Sequence, residues 1–227
     1  MIVRWEKLPD KMKNEYIKPY YEHLEKQKFN LILKRGFDII FSLILLILLS
    51  PIMLLLMIVI PLESKGGPFF IQKRITQYNR SFNIIKFRTM KKHNLDSASQ
   101  ITVQNDQRVT KVGKLIRNIR LDEISQLINV LLGDMTFVGT RPEVPKFVNA
   151  YSPEMYATLL LPAGVTSQAS IQFRNEEELL DASDNPEQTY IEDVLPQKMK
   201  INLDYVENFS LLNDFKIIIQ TLKLLFT

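Results

Sequence analysis

From Ile39 to Leu62 the chain carries no charged residue, and nearly every position is Leu, Ile, Met, Phe or Val. About two dozen such residues are enough to span a bilayer as a helix. Ser50-Pro51 falls in the middle of the run. Proline removes a backbone donor and crowds the preceding turn, so a kink is expected there, with the Ser50 hydroxyl placed to bond a carbonyl that the proline frees. Lys26, Lys28, Lys34 and Arg35 precede the run, and Lys65, Lys73 and Arg74 follow it. Basic residues concentrate on the cytoplasmic side of membrane segments, so both ends ask for the same side. Each half, about a dozen residues, is too short to cross alone. A helix that enters, bends at Ser50-Pro51 and leaves by the same face fits these facts; a kinked helix that crosses once is the plainer alternative.

The remainder of the 227 residues is enough for one sizeable core. Net charge is +4 with a pI near 9.1, which suits phosphates, acidic headgroups or nucleic acid. The chain has no cysteine, which excludes disulfides and thiolate chemistry, and its two histidines, His23 and His93, are too few and too far apart in sequence for a His-based zinc site or a Ser-His triad. The first thirty residues are charged and aromatic with no apolar core, which is not the pattern of a cleavable signal peptide. A strand is expected over Phe82–Phe87, a polar loop over Asn94–Asp106, and helices over Val112–Arg120 and Asp122–Leu132, the second closed by Gly133. Glu176–Pro196 reads as an acidic loop. Leu211–Phe226 reads as a helix with Leu211, Leu212, Phe215, Ile218, Ile219, Leu222, Leu225 and Phe226 on one apolar stripe and Lys216 and Lys223 at its margin, suited equally to a core or to a membrane interface. The class is α+β with a helical majority and a few short strands.

A dozen Lys and Arg residues lie between Lys73 and Arg120, opposed there only by Asp96 and Asp106. Such a field can hold substrate phosphates or press against acidic headgroups. Asp122-Glu123 follows directly. Acidic residues at a helix start commonly cap free amides and offset the dipole. Held beside cations, they can also act as a phosphoryl nucleophile or bind Mg²⁺. A divalent cation is expected if two acids engage a diphosphate, because carboxylate and phosphate repel. Arg141, in the turn Val138-Gly139-Thr140-Arg141-Pro142-Glu143, has the geometry to fork onto a phosphate. A nucleic-acid binder would explain the basic field but not the uncharged run, and the aromatic-basic interleaving of single-strand platforms is missing.

Several motifs occur together in one order: Lys34-Arg35-Gly36-Phe37-Asp38, Ser50-Pro51 in the apolar run, Lys86-Phe87-Arg88-Thr89-Met90, and Leu121-Asp122-Glu123-Ile124-Ser125-Gln126-Leu127-Ile128-Asn129-Val130. Gly133-Asp134-Met135, Val138-Gly139-Thr140-Arg141-Pro142-Glu143 and Asp204-Tyr205-Val206-Glu207-Asn208 follow. From about residue 30 onward the chain resembles the bacterial sugar transferases, monotopic polyprenyl-phosphate phosphoglycosyl transferases that begin lipid-linked glycan assembly. The resemblance implies residues 1–29 as an extension outside the family pattern, 30–64 as a re-entrant membrane helix kinked at Ser50 and Pro51, and 65–227 as a catalytic domain with interfacial amphipathic helices. It places the protein on the cytoplasmic face of the bacterial inner membrane, with lipids around it and self-association left open. It implies a UDP-sugar donor, an undecaprenyl phosphate acceptor and Mg²⁺ held by Asp122 and Glu123. Asp122 would attack the donor, Glu123 would be its partner acid, and Arg88, Arg117 and Arg141 would bind phosphate. A scaffold that kept this fold and lost its chemistry would have no need of Asp122, Glu123 and Arg141 together. The chain departs from the family at Thr140, where a proline is usual, and at Ser167, Ser170 and Phe173, where Gly, Gln and Gly are expected. Those changes should reshape a loop on the donor side.

Overall fold

The computed structural model describes residues 2–91, 108–181, 183 and 185–225. The expected loop over 94–106, Lys92, His93 and Phe226 lie outside them. The chain is mostly helical with a few short strands. A helical N-terminal segment containing α1 (Lys18–Lys26) leads into α2 (Lys28–Glu63), and then into a hairpin of β1 (Phe69–Thr76) and β2 (Arg80–Phe87). Helix α3 (Lys111–Asn118), a 3-10 turn (Leu121–Glu123) and α4 (Gln126–Leu132) precede β3 (Met135–Val138). A short α5 (Pro145–Val148) separates β3 from its parallel partner β4 (Ala163–Thr166). Helices α6 (Gln168–Gln172), α7 (Glu176–Asp181), α8 (Pro186–Thr189), α9 (Leu195–Glu207) and α10 (Leu211–Leu225) complete the fold, with a π-helical turn (Tyr190–Val194) leading into α9.

Helix α2 organises the rest. Its 36 residues give it a length of about 54 Å. Lys34, Asp38, Ser42, Met53, Leu56 and Ile60 are its buried positions, spaced so that they share one face. The remaining faces stay bare: Ile40, Ile44, Ile47, Leu48, Leu54, Leu55 and Ile58 are all exposed. Only 11% of its most apolar window is buried, so α2 is not the core helix of a water-soluble domain. The helix runs unbroken through Pro51, and Ser50 Oγ donates to Ile47 O at 2.7 Å. Ile47 is four residues before Pro51, so this carbonyl is the one the proline leaves without a donor.

Two of the basic residues that read as marking the membrane side, Lys34 and Arg35, turn inward. Lys34 Nζ donates to Asp214 Oδ2 of α10 at 2.6 Å and to Val138 O at 2.8 Å, and Tyr205 donates its hydroxyl to Asp214 Oδ1 at 2.7 Å. Arg35 donates to the carbonyls of Val130 and Leu131 at 2.6 and 2.8 Å, closing the end of α4 where Gly133 takes a left-handed φ of 87°. Asp38 accepts from Thr136 Oγ1 and Phe137 N at 3.1 Å each. At the far end of α2, Met53, Leu56 and Ile60 pack with Phe87 and Ile116, and Glu63 Oε1 accepts from Lys111 N at 2.8 Å at the start of α3.

One further expectation changes, and one that the pattern left open is decided. Glu176–Pro196 is largely helical rather than loop, because Leu180, Tyr190, Val194 and Leu195 are buried in the main core while Glu192 and Asp193 are exposed. In α10 the outer part of the apolar stripe is bare: Leu212, Phe215, Ile219 and Leu222 are exposed, Leu211 and Ile218 pack against the main core, and Asp214 and Ile217 are buried. Leu8, Met12, Ile17, Tyr21 and Leu24 of the N-terminal segment pack in the same core as Tyr156, Leu160, Met199 and Tyr205.

Breaking the Lys34–Asp214 pair strands a buried ammonium. Asp214→Ala should therefore cost roughly 3–5 kcal/mol in thermal or denaturant unfolding in detergent, and the apolar pair Lys34→Met with Asp214→Leu should recover most of it. Equal losses for the single and double variants would show that the pair is not the source of the effect.

Candidate active site

The outer edge of β2 is closed by α4 instead of a third strand. Asn129 donates from Nδ2 to Asn83 O at 2.9 Å and accepts at Oδ1 from Ile85 N at 3.1 Å, while Ser125 Oγ donates to Ile85 O at 2.9 Å. Ser125 and Asn129, four residues apart, lie on one helix face and satisfy a strand edge that would otherwise be open. This docking carries the turn before α4 to the side of Lys86, the next residue of β2.

Asp122 and Glu123 sit in that turn, not in the first turn of an α-helix as expected. Arg120 takes a left-handed conformation with φ 56°, and Glu123 N donates to Arg120 O at 3.2 Å, which tightens the chain into a 3-10 turn. Neither carboxylate accepts a backbone amide among the described residues, so helix capping does not account for them. Glu123 Oε1 accepts from Lys86 Nζ and from Arg141 Nη2, each at 2.7 Å. Asp122 is 8% exposed and accepts no hydrogen bond among the described residues.

The two acids are thereby driven apart. Burial pushes the Asp122 carboxyl up, and the Glu123 charge adds to that; Lys86, Arg117 and Arg120 pull against them. Burial would raise Glu123 too, but Arg141 and Lys86 outweigh it and hold Glu123 well below the usual carboxylate range. Lys86 is itself lowered by burial, with Glu123 opposing. Neighbouring acids whose environments push their pKa values in opposite directions are suited to different tasks.

Of the residues singled out from the sequence, Asp122, Glu123, Arg117 and Arg141 come together. Arg117 and Arg120 act on Asp122 through charge, and their side chains make no hydrogen bond among the described residues. Arg88 is engaged elsewhere: it is buried and donates to the carbonyls of Lys65 at 2.6 Å and Ser64 at 2.7 Å, closing the end of α2. Lys86 was only one member of the basic field in the sequence, and its signal was its place in the same five-residue motif as Arg88. Ser167 ends β4 as the cap of α6, its Oγ accepting from Ser170 N at 2.9 Å, so the departure from glycine builds a capped helix. Among the described residues no group of three or more metal-type ligands exists. A Mg²⁺ held by one or two carboxylates together with substrate phosphates needs no such group, and the Asp122 carboxylate, which accepts no hydrogen bond among the described residues, fits that mode beside Glu123.

Residues 29–227 match the family model described as bacterial sugar transferase. The chain belongs to that family. Over 201 residues it is 36% identical to a UDP-N-acetylgalactosamine-undecaprenyl-phosphate N-acetylgalactosaminephosphotransferase of Aeromonas hydrophila, covering 86% of this chain and 44% of that protein. It is 34% identical to an undecaprenyl-phosphate glucose phosphotransferase of Komagataeibacter xylinus, covering 86% of this chain and 36% of that protein. It is also 34% identical to the exopolysaccharide production protein PSS of Rhizobium leguminosarum bv. phaseoli, covering 85% and 94% respectively. The chain thus spans less than half the length of the first two relatives and nearly all of the third.

The opposite environments of the dyad have a stability signature. A carboxyl raised on folding is a liability once ionised, so Asp122→Asn should leave melting unchanged or raise it near pH 7, the gain fading below roughly pH 4, where Asp122 is protonated folded or unfolded. A lowered carboxyl stabilises above its unfolded pKa and loses that contribution as pH falls through the folded value. Glu123→Gln should therefore destabilise near neutrality by roughly 1–3 kcal/mol, toward the lower end because Arg141 is a third open to solvent. Melting curves of both variants across pH check the signs.

Proposed function

We propose that this protein transfers a sugar 1-phosphate from a UDP-sugar to polyprenyl phosphate through a phosphosugar-aspartyl intermediate. The observation that carries the reading is the buried Asp122, with no hydrogen-bonding partner among the described residues, next to a Glu123 locked by Lys86 and Arg141. The names of the relatives support both substrates, a UDP-sugar and undecaprenyl phosphate.

In the first step an Asp122 oxygen attacks the phosphorus that bears the sugar. The bond from that phosphorus to the bridging oxygen breaks, and UMP leaves with the electron pair. In the second step an oxygen of polyprenyl phosphate attacks the same phosphorus, and Asp122 departs as the carboxylate. Arg141, a third exposed and anchored through Glu123, is placed to fork onto the donor diphosphate, and Lys86 fixes the same carboxylate from β2. Arg117 keeps positive charge beside the nucleophile, which favours its ionised form. Arg88 holds the end of α2 against the hairpin that carries Lys86. Mg²⁺, held by Asp122 and Glu123, would neutralise phosphate charge that the carboxylates otherwise repel.

The membrane reading is monotopic. Both ends of α2 grip one folded unit, Lys34 through α10 and Glu63 through α3, while the outer faces between them are bare and apolar. A helix crossing upright would carry α3 and α4 along its flank into hydrocarbon, with Glu63 and Lys111 on the far side. A re-entrant path bent at Ser50-Pro51 keeps these groups at the cytoplasmic interface of the inner membrane. The outward apolar row of α10 suits a helix lying in that interface.

Purified protein with Mg²⁺, polyprenyl phosphate and a panel of UDP-sugars should release UMP with at least one donor. Asp122→Asn should lower the rate by several orders of magnitude while the protein stays folded; more than about a tenth of parental activity would rule out a nucleophilic Asp122. The absence of cysteine makes topology directly testable. Lys28→Cys and Lys73→Cys should both be labelled from the cytoplasmic side only, and labelling of either from the opposite side would end the re-entrant reading.

A further inference from the structure

Behind Arg141 lies a buried cluster of charge that the two transfer steps do not use. Glu143, Tyr190 and Lys198 are 6%, 3% and 5% exposed. Tyr190 donates its hydroxyl to Glu143 Oε1 at 2.5 Å. Lys198 Nζ donates to the Tyr190 hydroxyl at 3.1 Å and to Glu176 Oε2 at 2.8 Å, and stands 3.7 Å from Glu143 Oε1. Burying an ammonium and a carboxylate costs heavily even when they are paired, and apolar residues of the same shape often serve stability as well or better. The cluster is therefore poorly explained by stability alone.

Its placement connects it to the site. Glu143 ends the turn Arg141-Pro142-Glu143, and Pro142 has its φ fixed by its ring. The same turn is held from β1, where Arg74 Nη1 donates to Pro142 O at 3.1 Å and Ile75 N donates to Glu143 O at 2.9 Å. Few torsions are left between the Glu143 side chain and Arg141, so a movement of one displaces the other. The π-helical turn that presents the Tyr190 hydroxyl is a distortion of a kind that recurs at functional sites. The Glu176 and Glu143 charges also reach the Arg141 guanidinium.

We propose that Tyr190 and Lys198 are positioning residues for Arg141: acting through Glu143, they set the angle at which its guanidinium meets Glu123 and the donor diphosphate. This inference rests on the assignment of Arg141 to the donor. Neither residue touches substrate, and neither is needed for the charge of the site.

The test is a double-mutant cycle on the whole chain, following UMP release from UDP-glucose or UDP-N-acetylgalactosamine, whichever it turns over. Tyr190→Phe should lower kcat/KM by roughly tenfold in the parent, the scale of one hydrogen bond to a charged group. In an Arg141→Lys background the same change should cost less than about twofold, because the geometry it protects is already lost. Lys198→Arg should recover most of the activity that Lys198→Met loses. If Tyr190→Phe does not fold, Glu143→Gln replaces it in the cycle, keeping an acceptor for Tyr190 but removing the charge that faces Lys198. A full tenfold loss in both backgrounds, or none in the parent, overturns the inference while leaving the donor assignment intact. An Arg141→Lys enzyme as active as the parent overturns both.

Discussion

The structure depends on how α2 divides its surface. A helix this apolar cannot be solvated all round, and its length exceeds what a simple crossing of about 30 Å requires. One face is given to the domain, and each polar residue on that face has a partner. Lys34 reaches α10, Arg35 the end of α4, Asp38 the start of β3, and Glu63 the start of α3. These four attachments fix the elements that carry the site. The same attachments draw the elements that carry the acid pair along the flank of the helix, and the proposed monotopic arrangement rests on that placement.

Charge is then distributed unevenly over two neighbouring acids. Asp122 is buried without a hydrogen-bonding partner among the described residues, and Glu123 is held by two cations. The separation comes from three elements meeting: β2 supplies Lys86, the turn before α4 supplies the acids, and the segment after β3 supplies Arg141. Ser125 and Asn129 keep these in register by closing the β2 edge. Had the turn continued as regular α-helix from Asp122, the first carboxylates would have been free to cap amides. The left-handed Arg120 and the 3-10 geometry prevent that.

Much of this was legible in the sequence. The uncharged run, the Ser50 hydroxyl beside Pro51 and the glycine closing α4 are local features, and local backbone chemistry decided them. Ser50 does bond the carbonyl that Pro51 leaves open. The helix over 111–118, the strand ending at Phe87 and the apolar stripe of α10 followed from periodicity. The grouping of Asp122, Glu123, Arg117 and Arg141 came from motif order, which preserves which residues matter without saying what they touch.

What the sequence determined by itself was the inventory: a membrane-length apolar helix, a basic field, an acid pair and the family. Only the tertiary structure decided which charge meets which. Lys34 and Arg35 looked like flanking charges that mark the membrane side, yet they are spent inside the protein; Arg88 looked like a phosphate ligand, yet its guanidinium holds backbone carbonyls. Lys86 looked like one basic residue among a dozen and proved to be half of the Glu123 clamp. Pattern left the covering of the α10 stripe open, because an amphipathic stripe does not say whether protein or lipid covers it, and it read the helical Glu176–Pro196 segment as a loop. Periodicity is set by the backbone of one segment. Ion pairing is set by distances between segments far apart in sequence, and those distances exist only once the chain has folded.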